Sequence, residues 1–454
     1  MNIVKSLAIS MSMLGCWLPA VAAEAVVNIA NRSGQPIYFQ PADQLDYNEI
    51  AGTDTTIRVD LSRPQYYVAI PPSGDFINLY ITPGSTTDIT INGEKTDVHG
   101  TNERENRFIS ENRYVCRAPK GVKSYSSEWI SFNDAEICRL DSLLDASGLD
   151  REFIDTQKLY YRYTYLNQRL GGLELARAFN RTGKAIEIPE DYYSFLPSIR
   201  FDSEKILSIP KWFEIVNKTL EVMEQQDIIP VSNDSYMSLH AKAIDNEKVR
   251  SAYLTKLLNL TLKKNYFNDF SRQLPEIRPM ITSAEDIAAI PSLEEKYRSL
   301  LAENSKVATG TQMPEFSFKD VDGKEYNFSD FRGKYVILDF WFTGCAPCRA
   351  EMPYFDKVAR NFEGSDVSFI SLSVDTGEEL YAAWEKMMRE NPHNPNVLSV
   401  NLPDGFNSPL LGQLNIHGVP RIMLIDREGR IIDSYAKRPS DPKLSRQLKN
   451  LLEK

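Results

Sequence analysis

Two cysteines stand three positions apart in Cys345-Ala346-Pro347-Cys348, a spacing that suits thiol–disulfide exchange. That chemistry needs one accessible thiolate to attack a disulfide and a second thiol close enough to resolve the mixed intermediate. An apolar run from Tyr335 to Trp341 precedes the pair, broken only by Asp339, and such a run reads as a strand buried on both faces. A helical stretch follows. Cys345 therefore falls at or just before a helix N-terminus, where unpaired N–H groups and the positive dipole end favour a thiolate. Cys348 lies one turn on, and Pro347 costs little in a first turn because it has no N–H to leave unpaired.

Three further features can serve this pair. Asp339 lies six residues before Cys345 inside the apolar strand. Burial would raise its pKa and suit it to exchange a proton with the Cys348 thiol; the alternative is a core aspartate held by backbone donors. Glu351, three residues beyond Cys348, shares its helical face and is either a second proton acceptor or a partly solvated first-turn acid. Pro420 follows Val419 at the mouth of a strand, where a cis bond would end pairing and leave the Val419 backbone free for a partner chain. Zinc fits poorly, because a structural site needs four ligands. The four histidines, His99, His240, His393 and His417, form no spaced pair and there is no second CxxC. No metal and no cofactor is expected, and an inert disulfide is an unusual use of so short a ring at a strand–helix junction.

The elements that must position these groups occupy residues 307–454, where strand and helix alternate. Strands are expected at 335–341, 367–372, 419–425 and 430–435, with helices after Cys345, at 378–390 and at 443–452, giving an α/β domain with a mixed sheet. Residues 24–102 differ. Short β-branched runs (Val26–Ile29, Thr56–Val59, Asp88–Ile91) alternate with Gly- and Pro-containing turns, the pattern of a small antiparallel sandwich or half-barrel. From 103 to 306 the period is helical: Tyr253, Leu257 and Leu260 fall at i, i+4, i+7, as do Leu293, Tyr297 and Leu300. Thr282 with Glu285 forms a capping-box signal, with Ser283 as the alternative cap. Tyr160, Tyr161, Tyr163 and Tyr165 read as packing residues. The fold class is thus multidomain: a small all-β N-terminal domain, a mostly helical middle region and an α/β C-terminal domain.

With 454 residues and a net charge of −10, the chain is long enough for about three domains and too acidic to attract a phosphate backbone. Nucleic acid is excluded as a partner. Residues 1–23 have one Lys, an apolar stretch and small residues at Ala20–Ala23, the layout of a secretory signal peptide. Met13-Leu14-Gly15-Cys16 offers a lipobox-like alternative that would leave Cys16 lipidated. The expected location is the periplasm. Signal-peptide cleavage leaves four cysteines, an even number suited to an oxidising compartment. Cys116 and Cys138 are expected to form a structural disulfide worth roughly 3 kcal/mol by loop closure, with free thiols or a second redox centre as alternatives.

The stretch Asp339-Phe340-Trp341, Cys345-Ala346-Pro347-Cys348-Arg349-Ala350-Glu351-Met352-Pro353, Gly418-Val419-Pro420 and Leu424–Gly429 resembles the TlpA/ResA-like thioredoxins, exported thiol–disulfide oxidoreductases. The resemblance covers about 309–454, including Met313–Phe316 and Asp322–Lys334, which are similar to the hairpin preceding the core. It implies a thioredoxin fold with Cys345 as nucleophile, Cys348 as resolving thiol and a cis-proline at Pro420. It also puts Asp339 at the buried acid position and Glu351 at the acid position of the ResA type. Two departures stand out: Gly344 replaces the usual Trp before the first cysteine, and Asp339 stands where many members carry Asn. The resemblance implies protein thiols and disulfides as substrates, most simply a reductase of envelope protein disulfides fed by a membrane thiol electron donor. Two other functions compete. A thiol peroxidase of the same fold lacks its Pro-x-x-x-Thr-x-x-Cys signature here, since Thr343 is two residues from Cys345. A non-enzymatic binding or homodimerisation module would use residues 24–306 and keep the thioredoxin domain as a platform.

Overall fold

The computed structural model describes residues 22–42, 49–50, 52–71, 76–92, 95–114, 120–123, 125–178, 186–232 and 235–453. Most of the expected signal peptide, Cys16 and Cys116 lie outside the described residues. The chain divides into two compact units that part between Val222 and Met223, inside the segment expected to be one helical domain.

The first unit opens with eight strands: β1 (Ala23–Asn31), β2 (Ile37–Pro41), β3 (Glu49–Ile50), β4 (Asp54–Leu61), β5 (Gln65–Ile70), β6 (Ile77–Ile81), β7 (Thr86–Asn92) and β8 (Lys95–Gly100). They form two four-stranded sheets, β4-β1-β7-β8 and β3-β2-β5-β6. Ala25, Val27 and Ile29 from β1 alternate with more exposed residues and share a core with Ile37 and Phe39 of β2 and Leu79 and Ile81 of β6. Period-two alternation thus buries one face of each sheet against the other. The sandwich is mixed, not purely antiparallel, because β1 runs parallel to β7. Three helices follow, α1 (Glu103–Glu111), α2 (Ser127–Ala146) and α3 (Arg151–Ala178), and then α4 (Trp212–Gln225), whose end from Met223 belongs to the second unit. Tyr161 and Tyr165 of α3 pack in one core with Trp129 and Leu140 of α2, so the tyrosine-rich segment is packing material.

The second unit contains α5 (Tyr236–Lys242), α6 (Glu247–Lys263), α7 (Phe267–Ile277) and α8 (Ala284–Glu303), followed by the α/β region. Ser283 caps α8, its hydroxyl accepting from the Asp286 N–H. The α/β region runs β9 (Ser317–Asp320), β10 (Glu325–Asn327), β11 (Tyr335–Trp341), α9 (Ala346–Asn361), β12 (Val367–Ser373), α10 (Glu378–Glu390), β13 (Val397–Asn401), α11 (Pro409–Gln413), β14 (Arg421–Ile425), β15 (Ile431–Asp433) and α12 (Pro442–Leu452). Its seven-stranded sheet has the order β10-β9-β13-β12-β11-β14-β15. Central β11 is parallel to β12 and antiparallel to β14, as in a thioredoxin fold. Leu338 and Phe340 line one face of β11 with Met423 and Ile425. Ile337 lines the other with Phe355 and Val358 of α9 and Leu444 of α12. Both faces being covered, the strand has to be apolar, and Asp339 is its exception.

Candidate active site

β11 ends at Trp341, and the next three residues turn the chain into α9. Asp375, itself buried, fixes that turn by accepting from the Thr343 N–H at 2.9 Å and the Thr343 hydroxyl at 2.8 Å, while Ser373 donates to the same carboxylate at 2.7 Å. The Cys345 N–H donates to the Phe342 carbonyl at 3.0 Å. Cys345 is the N-cap of α9: its Sγ accepts from the Cys348 N–H at 3.2 Å. A helix start therefore presents a donor to the first sulfur, the arrangement that stabilises a thiolate there. The two cysteines are joined by a disulfide with their Cα atoms 5.3 Å apart.

The sulfurs lie in an apolar nest with Trp341, Trp384 and Met388, bordered by Phe342, Met352, Tyr381 and Val419. Cys345 retains 6% exposure against 1% for Cys348, so the first cysteine is the more accessible of the two. The Val419–Pro420 peptide is cis, and the Val419 carbonyl oxygen stands 4.0 Å from Cys345 Sγ. Val419 and Pro420 precede β14, which starts at Arg421. Gly344 has a local reason: a Cβ there would meet Cε2 of Phe342 at 2.7 Å. The Phe342 ring covers that position and makes an edge-to-face contact with exposed Phe406, centroids 5.8 Å apart.

Asp339 is 3% exposed and its Oδ1 has no hydrogen-bond partner among the described residues. By strand alternation it shares the α9 face with Ile337. Burial, reinforced by the negative charge of Glu351 and opposed by Arg438, pushes its pKa up to about 7. Glu351 is engaged elsewhere, its carboxylate accepting from the Ser440 N–H at 2.9 Å and the Ser440 hydroxyl at 2.8 Å. The two acids thus differ in kind. One is a buried carboxyl poised to gain or lose a proton near neutrality; the other anchors a loop.

Residues 308–452 match the Redoxin family. Thiol-disulfide oxidoreductase ResA of Geobacillus kaustophilus is 31% identical over 135 residues, 30% of this chain and 73% of the relative. The chain belongs to the ResA-like thiol–disulfide oxidoreductases. The ResA of Bacillus thuringiensis is 26% identical over 155 residues, 34% of this chain and 85% of the relative. A crystal structure of a thiol-disulfide oxidoreductase from Bacteroides vulgatus, 28% identical, covers 33% of this chain and 99% of its own with a TM-score of 0.29.

In this ResA-like chain the structure gathers Cys345, Cys348, Val419 and Pro420 around one sulfur pair, with Asp339 in the strand behind it and Glu351 on the first turns of α9. Cys138 is a different matter. It is a free, exposed thiol on α2, off the buried stripe of Trp129, Asn133, Ile137, Leu140 and Leu144, and its expected partner Cys116 lies outside the described residues. Among the described residues no cluster of His, Cys, Asp and Glu could hold a metal ion, and no helix is long and apolar enough to cross a membrane. Asp375 and Ser440 escaped the sequence reading. Each acts across 32 and 89 positions respectively, with no motif to announce it.

Proposed function

We propose that this oxidoreductase is an exported reductase of protein disulfides that works through a Cys345–Cys348 couple. The observation that carries the reading is the asymmetry of the pair: Cys345 caps α9 and is the more exposed sulfur, while Cys348 is closed off behind it. In the reduced protein the Cys345 thiolate attacks one sulfur of a substrate disulfide, forming a mixed disulfide and releasing the other sulfur as a thiolate. Cys348 then gives its proton to the Asp339 carboxylate and attacks Cys345, which releases the second substrate thiol. The substrate gains two electrons and the enzyme is left as the Cys345–Cys348 disulfide, so a dithiol donor, expected at the membrane, has to restore it. The Val419 backbone beside Cys345 is the natural contact for an extended substrate chain. Export rests on residues 1–23, with lipidation of Cys16 as the variant form. The rest of the chain, residues 24–306, restricts which disulfides reach Cys345 or holds a homodimer.

The test is equilibration of the couple against glutathione in full-length protein. A potential near about −270 mV marks a reductant, and one near about −120 mV marks a disulfide donor and reverses the proposed direction. Cys345→Ser should lose at least 100-fold of the disulfide-reducing rate with insulin as probe. Unchanged activity in that variant would overturn the assignment of the nucleophile.

A further inference from the structure

The seven residues from Lys437 to Lys443 run from beyond β15 into the first turn of α12, and they face two ways. Toward the helices of the same unit point two lysines. Lys443 Nζ is 2.8 Å from Glu224 Oε2, both side chains buried, and sits 4.2 Å from the centroid of the Tyr236 ring. Lys437 pairs with Asp269 of α7 and lies 3.5 Å from the centroid of the Tyr266 ring. On the other side the Ser440 N–H and hydroxyl both donate to Glu351 of α9, and exposed Arg438 is the cation that opposes the rise of the Asp339 pKa. Lysines withdrawn from water and matched by carboxylates and aromatic faces hold one geometry, since removing either partner strands a charge. A short segment pinned at both ends by such anchors cannot slide without carrying Arg438 and Ser440 along.

We propose that the helices from Glu224 to Ile277 act as a positioning module for the redox site, holding Arg438 and Ser440 in register with Asp339 and Glu351 through the part-buried Lys437–Asp269 and the buried Lys443–Glu224 anchors. This rests on the couple proposed above. The charged groups that act on Asp339 are Glu351 from α9 and Arg438 from the segment, with the thiols of Cys345 and Cys348 joining them on reduction. Arg438 and Ser440 are positioning residues: Ser440 acts through Glu351 and Arg438 through its charge on Asp339. Loosening the segment withdraws the favourable charge of Arg438 and leaves the unfavourable charge of Glu351 in place, so Asp339 holds its proton to higher pH.

The readout is the pH dependence of the Cys345–Cys348 equilibrium with glutathione in full-length protein, where the inflection lost in Asp339→Asn marks Asp339. Asp269→Asn is expected to move that inflection up by half a pH unit or more, and Arg438→Gln, at an exposed position, to move it the same way. The double variant should move it no further than Arg438→Gln alone, because the two changes act along one path. An unmoved inflection in folded Asp269→Asn, or additive shifts in the double variant, would overturn the proposal. Should Asp269→Asn not fold, Glu224→Gln takes its place in the same cycle. Hydrogen exchange of the unmutated protein tests the anchors directly: amides of 437–443 exchanging as fast as those of an unfolded peptide would also overturn it. If the wild type shows no reversible couple, the reading of the sulfur pair falls first, a failure distinguishable from that of the module.

Discussion

Two buried acids of the second unit make opposite use of burial. Glu224, at the end of α4, is 2% exposed and Asp339, in β11, is 3% exposed. Burial works to raise the pKa of both. At Glu224, His240, with its Nε2 3.4 Å away, and Lys443, with its Nζ 2.8 Å away, outweigh burial and leave the carboxyl below its ordinary value. At Asp339 no cation pairs with the carboxyl among the described residues, and the pKa rises to about 7. A matched buried charge fixes a geometry; an unmatched one stays free to change protonation. That difference marks Glu224 as an anchor and leaves Asp339 free to gain or lose a proton.

The largest effect is expected from breaking the matched site. Glu224→Ala leaves Lys443 as a buried cation without its carboxylate and should cost about 3–5 kcal/mol in urea unfolding at pH 7. Because the folded pKa of Glu224 is lowered, its contribution is present above the ordinary value of 4.5 and lost as pH falls through the folded value. A loss below about 1 kcal/mol would place Glu224 with ordinary surface acids and erase the contrast. Next comes Asp339→Asn, of opposite sign. Between about pH 4 and 7 the folded protein keeps a proton on Asp339 that the unfolded chain has released, so stability falls as pH rises through that window and then levels. A shift from 3.8 to about 7 corresponds to about 4 kcal/mol at most. Asp339→Asn should therefore flatten that decline and unfold at higher urea than wild type at pH 8. Identical pH slopes in the two proteins would mean that Asp339 is not the unmatched group.

How much of this was legible in the sequence follows from distance along the chain. β11, the turn and α9 are contiguous, so an apolar run, a CxxC and a helical period were enough to set Asp339, Cys345 and Cys348 in one place. β13 went unread because Val397–Asn401 is short and its residues do not alternate cleanly between buried and exposed. The parallel pairing of β1 with β7 joins residues such as Val26 and Thr86, and local alternation carries no information about which strand lies alongside. The same holds for Lys443 and Glu224, 219 positions apart, each an ordinary surface residue type until the fold buries them together. The exposure of Cys138 is local information by contrast: its place off the apolar stripe of α2 can be read from Trp129, Ile137, Leu140 and Leu144.

The smallest predicted effect separates the two causes acting on Asp339. Burial is the larger and the charge of Glu351 the smaller, so removing that charge should move Asp339 only part of the way back. Glu351→Gln keeps a side-chain oxygen for Ser440 and should change stability by about 0.5 kcal/mol or less, as expected for a partly exposed polar group. The Asp339 inflection should move down by a fraction of a pH unit and stay well above the ordinary carboxyl value of 3.8. The direction is fixed because a neighbouring anion disfavours a second one, and its loss lets Asp339 ionise more readily. Were the inflection to fall into the ordinary carboxyl range, Asp339 would owe its proton to its neighbour and not to its burial. The contrast with Glu224 would then be one of nearby charge alone.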